Sequence, residues 1–131
     1  IKMTLKTVSY ETLLDMRDNG NFDLLIWNVL AANTGDPEKY LYENWDSGSA
    51  SNKSGYKNAK VDELLDQLNA EFDPEKRKEL AIEIQQLIMN DAATVFFGYE
   101  TTFLYSNNKV QNLRMFPMDY YWLTKDVTIT E

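Results

Sequence analysis

The strongest constraint on the fold is an apolar run at positions 24–30, interrupted only by Asn28, that leads into small and polar residues at positions 31–35. The pattern predicts a buried strand beginning at Phe22, then an irregular loop, and then a helix that starts at Asp36. In α/β proteins, ligands gather beyond the carboxyl ends of strands, where such loops lie. The sequence therefore predicts a binding edge at this loop, although the residues alone name no chemistry.

Charge and composition exclude several functional classes. The chain has 131 residues, with 13 Lys and Arg against 21 Asp and Glu, for a net charge of −8. This acidic balance argues against nucleic acid and against an anionic membrane surface as partners. There is no Cys and no His, so a disulfide framework, the usual zinc site and a Cys or His nucleophile are all excluded. We expect a single domain over residues 1–131 that is a piece of a longer protein, because the chain begins at Ile1.

Two consecutive amphipathic helices are predicted in the middle of the chain. One spans 59–72, and the next begins at Asp73, where an N-cap residue is followed by Pro74 at the first helical position. The two should meet at an angle, because almost no loop separates them. Their apolar faces contain Val61, Leu64, Leu65, Leu68 and Phe72 on the first helix, and Leu80, Ala81, Ile84, Leu87 and Ile88 on the second.

The remaining apolar segments predict strands. Residues 2–8 alternate, and a short helix capped by Ser9 and stopped by Asn19 and Gly20 leads to the strand at Phe22, which together make a βαβ unit. Continuous apolar runs at 93–99 and 102–105 are typical of strands buried on both faces. A turn is predicted at 106–108 and a short strand at 127–129. The predicted fold class is α/β, a mixed sheet with helices packed on it.

Two residue clusters could carry function, and each has a plainer explanation. The carboxylates of Asp62, Glu63 and Asp66 share one helical turn and could bind a hard cation, but a solvated helix face is the favoured explanation, because no flanking oxygen-rich loop completes a cage. A sugar or peptide site could be lined by aromatic residues that would otherwise pack in a core, namely Trp27, Trp45, Tyr120, Tyr121 and Trp122. Three consecutive aromatics at 120–122 cannot all face one core from a strand, so at least one should face outward. No carboxylate pair is singled out for acid–base catalysis, and we expect neither an enzyme nor a metal site.

Several motifs occur together in order: FDLLIW followed by a small-residue loop and DPEKYL, then SGYKNAKVDELLDQL, then FDPEKRKELAIEIQQLIMNDAATVFFGYE. In this order they resemble the C-terminal lobe of the family 5 extracellular solute-binding proteins, which serve peptide and nickel ABC importers. The resemblance covers positions 1 to about 127. It implies one lobe of a two-lobed, periplasmic-binding-protein-like fold that closes on its ligand, and it implies that the other lobe lies outside this chain.

The resemblance also implies a location and partners. The full-length protein would be exported, either lipid-anchored at the cell surface or in the periplasm, and would deliver a small-molecule or peptide ligand to the membrane permease of an ABC importer. No cofactor is implied, and the isolated piece is expected to be monomeric. Predicted ligand-binding residues are Asn28, Ala31, Ala32, Asn33 and Thr34 in the loop, with Tyr121 and Trp122 in the tail.

The loop departs from the family's pattern at one informative place. Peptide-binding relatives carry an Asp in a W-x-A-D-Y-x-D-P pattern, and that position falls here at Ala32 or Asn33, neither of which is acidic. Peptide-amine recognition is therefore in doubt, and nickel or nickel held by a small chelator becomes an alternative, although this lobe offers no imidazole. A carbohydrate- or protein-interaction module that uses the aromatic tail is the alternative from another functional class.

Overall fold

The computed structural model describes residues 2–29, 35–99, 101, 103–115 and 123–130. The chain divides into two compact units, residues 1–95 and residues 96–131. The elements in chain order are α1 (Tyr10–Asp18), α2 (Glu38–Trp45), α3 (Ala59–Ala70), α4 (Pro74–Asn90), β1 (Val110–Gln111) and β2 (Thr128–Ile129).

Three helices make the core of the first unit. Helices α3 and α4 pack against each other, and α2 packs against both. The predicted apolar faces are confirmed at nearly every position, although the faces pack on helices and not on a sheet. None of the described helices is long and apolar enough to cross a membrane. The buried residues are Leu41, Trp45, Val61, Leu64, Leu65, Leu68, Ala81, Ile84 and Ile88.

Side-chain caps explain where α3 and α4 begin. The Asn58 side chain accepts hydrogen bonds from the backbone N–H groups of the first turn of α3, and Asp73 does the same for α4, at 3.1 and 3.0 Å. Pro74 then occupies the first turn of α4, as predicted. The prediction that α3 extends to Phe72 is wrong. The helix ends at Ala70 and the backbone turns extended, which leaves Phe72 90% exposed.

Helix α1 is confirmed at both ends but contributes nothing to the core. The hydroxyl oxygen of Ser9 accepts a hydrogen bond from the N–H of Thr12, and Gly20 takes a positive φ of 68° just past the helix. No residue of α1 is buried, and the ring of Tyr10 is 63% exposed. The helix contacts the following segment through aromatic rings, because the side chain of Trp27 stacks on Tyr10.

The strand predictions for 2–8, 22–29, 93–99 and 102–105 are wrong for the residues that the structure describes. These segments form no strand, and although Leu25 and Ala93 are half-buried, other apolar side chains are exposed, with Leu24 77% and Phe97 82% exposed. A strand needs a neighbour to pair its backbone N–H and C=O groups. The described part of the chain supplies no such neighbour to these segments, so much of their apolar surface is exposed. The predicted mixed sheet is accordingly not present among the described residues.

The second unit contains a small antiparallel sheet. Val110 of β1 pairs with Ile129 of β2, and Gln111 pairs with Thr128. The predicted turn at 106–108 is confirmed in the hydrogen bond that the N–H of Val110 donates to the carbonyl oxygen of Asn107, at 2.9 Å. The predicted strand at 127–129 is confirmed in the two residues of β2.

Candidate functional site

The structure describes the two flanks of the predicted ligand-binding loop. Asn28 lies at its upstream edge and is exposed, so the predicted burial of this amide in a strand is wrong. The other predicted site residues fall outside the described ranges: Ala31, Ala32, Asn33 and Thr34 in the loop, and Tyr121 and Trp122 in the tail.

Contacts to α1 hold the upstream flank. The ring of Trp27 stacks on Tyr10 with 6.2 Å between centroids, and the guanidinium of Arg17 lies 4.6 Å from the Trp27 ring centroid. A guanidinium within about 6 Å of an indole face is attracted by its electron-rich π-system. Arg17 is itself oriented by Asp18, whose carboxylate accepts a 2.9 Å hydrogen bond from Nε. Trp27, the residue before Asn28, is therefore held against α1.

An ion pair with α4 holds the downstream flank. The Asp36 carboxylate accepts hydrogen bonds from Nε and Nη2 of Arg77, at 3.2 and 2.9 Å, and its Oδ1 also accepts one from the N–H of Glu38 at 2.9 Å. The Glu38 N–H, and then Arg77, hold the pKa of the Asp36 carboxyl below its usual value. The helix predicted to start at Asp36 begins at Glu38, directly after Pro37, and the Asp36 carboxylate accepts a hydrogen bond from the N–H of its first residue.

Sequence reasoning gave Arg77 no role in the site. The other edge of the same guanidinium closes the end of α3, where Nη1 donates to the carbonyl oxygens of Leu68 and Glu71 at 2.6 and 2.7 Å. The residue type is a hint, because the planar guanidinium of Arg carries five donors along separate edges, whereas Lys carries its three donors on a single nitrogen.

A second polar cluster lies within the segments that carry the family resemblance. The Tyr56 hydroxyl and the Asn58 amide both donate to the Asp91 carboxylate, at 2.6 and 2.7 Å, and the Tyr56 ring lies edge-on to Trp45. Burial, and then the bond to Asp91, raises the pKa of Tyr56 to about 12, while the donated bonds lower the pKa of Asp91. Tyr56 and Asn58 thus join the start of α3 to the end of α4 through Asp91. Their role here is structural.

The acidic helix face and the Trp45 ring also have structural explanations. Asp62 accepts a hydrogen bond from the N–H of Ser47 at 2.9 Å, and Glu63 accepts bonds from Lys60 and Gln67. Trp45 is 6% exposed and belongs to the core. Within the described ranges, no group of three or more acidic, His or Cys side chains is placed to hold a metal ion.

Two curated proteins match most of the chain. The nickel-binding protein NikA of Staphylococcus aureus is 25% identical over 114 residues, which cover 87% of this chain and 23% of that protein. The probable D,D-dipeptide-binding periplasmic protein DdpA of Escherichia coli is 28% identical over 121 residues, covering 90% of this chain and 23% of that protein. The chain thus spans about a quarter of the length of each relative. No family model and no solved structure matches it.

Proposed function

We propose that this chain, a distant homologue of the family 5 solute-binding proteins, is part of the C-terminal lobe of a receptor that binds a solute for an ABC importer. The observation that carries the proposal is that two binding proteins match it along 87% and 90% of its length. Both relatives are binding proteins, which confirms the prediction that the chain is not an enzyme. The functional step would be closure of the two lobes around the ligand, with no chemical reaction.

The proposed ligand-contacting segment runs from Asn28 to Thr34, with Tyr121 and Trp122 as candidates from the tail. Support comes from its flanks, since the residue before the segment contacts Arg17 and a residue just after it contacts Arg77. Anchored flanks lower the conformational entropy that ligand binding costs. Small side chains within it would let a ligand approach the backbone.

The two relatives differ in what their names say they bind, nickel in one and a D,D-dipeptide in the other. The present loop has no acid at Ala32 or Asn33, and the chain has no His at all. Both facts favour a ligand that needs neither a carboxylate partner for an amine nor an imidazole from this lobe. A chelated metal, or a peptide held through groups other than its amine, fits that description best.

The rest of the receptor and its setting belong to the proposal as well. The remaining strands of the lobe, the second wall of the cleft and contact with the membrane permease would come from the full-length receptor. The same proposal includes export to the cell surface or the periplasm. The exposed apolar segments at 22–29 and 93–99 support it, because side chains such as Leu24 and Phe97 would be buried once neighbouring strands are added.

Calorimetry on the full-length receptor tests this function, with a D,D-dipeptide and a nickel–citrate chelate as probes. The decisive variant is Asn33→Asp, with Asn69→Asp as a control that makes the same chemical change on the exposed outer face of α3. We expect Asn33→Asp to change the dissociation constant for the bound probe by about tenfold, the scale of one charge-assisted hydrogen bond. Binding of neither probe would contradict the proposed ligand classes. An unchanged affinity with an unchanged melting temperature would move the site away from the loop.

A further inference from the structure

We infer that Arg77 is a positioning residue, which fixes the start of α2 against the α3–α4 pair and thereby the downstream end of the proposed ligand-binding segment. The geometric part of the inference stands on the described residues. Its consequence for the ligand rests on the proposed function.

The two edges of the Arg77 guanidinium serve different elements. Nη1 bonds the carbonyl oxygens of Leu68 and Glu71, which lie at the end of α3, where helix carbonyls lack partners within their own helix. Nε and Nη2 bond both oxygens of Asp36, a residue 41 positions away in sequence. Because the group is planar and both edges are engaged, Asp36 is held at a defined place relative to the α3 terminus.

Asp36 passes this placement on to α2. Its Oδ1 accepts a hydrogen bond from the N–H of Glu38, the first residue of the helix, while Arg77 bonds the same carboxylate. Leu41 and Trp45 secure the rest of α2, since both are buried in the core. The core therefore holds the middle and the end of α2, and Arg77 holds its beginning.

The neighbouring cations of α4 do not share this role. Lys76 lies 3.9 Å from Glu71, and Lys78 lies 3.8 Å from Glu75, with both lysine side chains about two-thirds exposed. Exposed pairs of this kind contribute little. The Arg77 side chain is only 21% exposed. Lys78 therefore provides a matched control on the same turn of the helix.

Amide hydrogen exchange on the 131-residue chain tests the geometry, with the variants Arg77→Lys, Asp36→Asn, the double variant and Lys78→Gln. Lys keeps the charge but cannot bond Asp36 and the α3 carbonyls together. We expect Arg77→Lys to speed exchange at the amide of Glu38 by about fivefold, with less than about twofold change at Leu65. Lys78→Gln should change neither.

The double variant separates positioning from general stabilisation. If Arg77 acts on α2 through Asp36, the double variant should exchange at Glu38 no faster than Arg77→Lys alone, because the same contact is already lost. Equal acceleration at Glu38 and Leu65, or additive effects of the two substitutions, would overturn the inference. No change at Glu38 would overturn it as well.

The ligand consequence is measured in the full-length receptor with the probe that binds, the D,D-dipeptide or nickel–citrate. Arg77→Lys should weaken binding by about threefold or more through a faster dissociation rate, and Lys78→Gln should not. Unchanged affinity overturns the link to the ligand. If the unaltered receptor binds neither probe, the proposed ligand classes fail, while hydrogen exchange still decides whether Arg77 positions α2.

Discussion

Helix α3 and the segment 22–29 are both rich in leucine and isoleucine or valine, yet only one of them is buried. Leu65 in α3 has no exposed surface, whereas Leu24 is 77% exposed and Ile26 is 69% exposed. A helix closes its backbone hydrogen bonds within itself and needs only side-chain partners. A strand needs a backbone partner as well. The comparison teaches that helices can assemble from this stretch of chain alone, whereas its strand-like segments have no strand to pair with among the described residues.

The largest expected difference between the two regions is in the cost of deleting a leucine side chain. Leu65→Ala should lower the free energy of unfolding by about 2–5 kcal/mol, because it opens a cavity in the core. Leu24→Ala is the matched control and should change it by less than about 0.5 kcal/mol. Urea denaturation followed by circular dichroism measures both. Equal losses would show that the 22–29 segment is packed in solution.

The Leu24→Ala substitution also tests the comparison in the full-length receptor. If added strands complete a sheet around 22–29, Leu24→Ala should there cost about 2 kcal/mol or more, as at a buried site. The measurement is the same denaturation experiment on the longer protein. A cost that stays below about 0.5 kcal/mol would contradict the proposal that this segment becomes a buried strand.

Helix caps should show a smaller version of the same contrast. Asp73→Ala removes the acceptor of two N–H groups at the start of α4, and should lower the free energy of unfolding by about 1 kcal/mol. Ser9→Ala removes the cap of α1, which carries no buried residue, so α1 can fray while the core stays folded. We expect its effect on the core transition to be below about 0.3 kcal/mol. A larger loss for Ser9→Ala would tie α1 to the core.

The smallest expected effect on stability comes from the ionisation of Tyr56 at high pH. The pKa of Tyr56 is raised to about 12 in the folded protein from an ordinary value of 10.0. Burial, and then the bond to Asp91, favours the neutral phenol in the folded protein. Because the folded-state pKa is the higher one, the stabilisation that accompanies this shift is fully present below pH 10 and is lost as the pH rises toward 12. Ultraviolet absorbance of phenolate, compared between the unaltered chain and Tyr56→Phe, should give a midpoint near pH 12 for this residue. A midpoint near 10 would show that Tyr56 is neither buried nor bonded to Asp91 in solution.

The flanks of the proposed ligand-binding loop show where prediction from the sequence stops. The start of α2 near Asp36 and the anchoring of α4 by Asp73 follow from local rules, because a cap bonds N–H groups two or three residues away. The partnership of Asp36 with Arg77 joins residues 41 positions apart, and no local rule selects it. The pair of Tyr56 and Asp91 is a second example. Both residues lie in segments that carry the family resemblance, and only the hydrogen bond between them shows that they have a structural role.

The sequence by itself determined the helices, their caps and the apolar faces of α3 and α4, because each of these depends on neighbours within about one helical turn. It also determined the family resemblance, which two homologous binding proteins support. Only the tertiary structure decided that these faces pack on α2 and that Arg77 serves both α3 and Asp36. It also left the segment around Leu24 in solvent. The physical reason is that periodicity states which face is apolar, while the partner that covers the face is set by contacts distant in sequence.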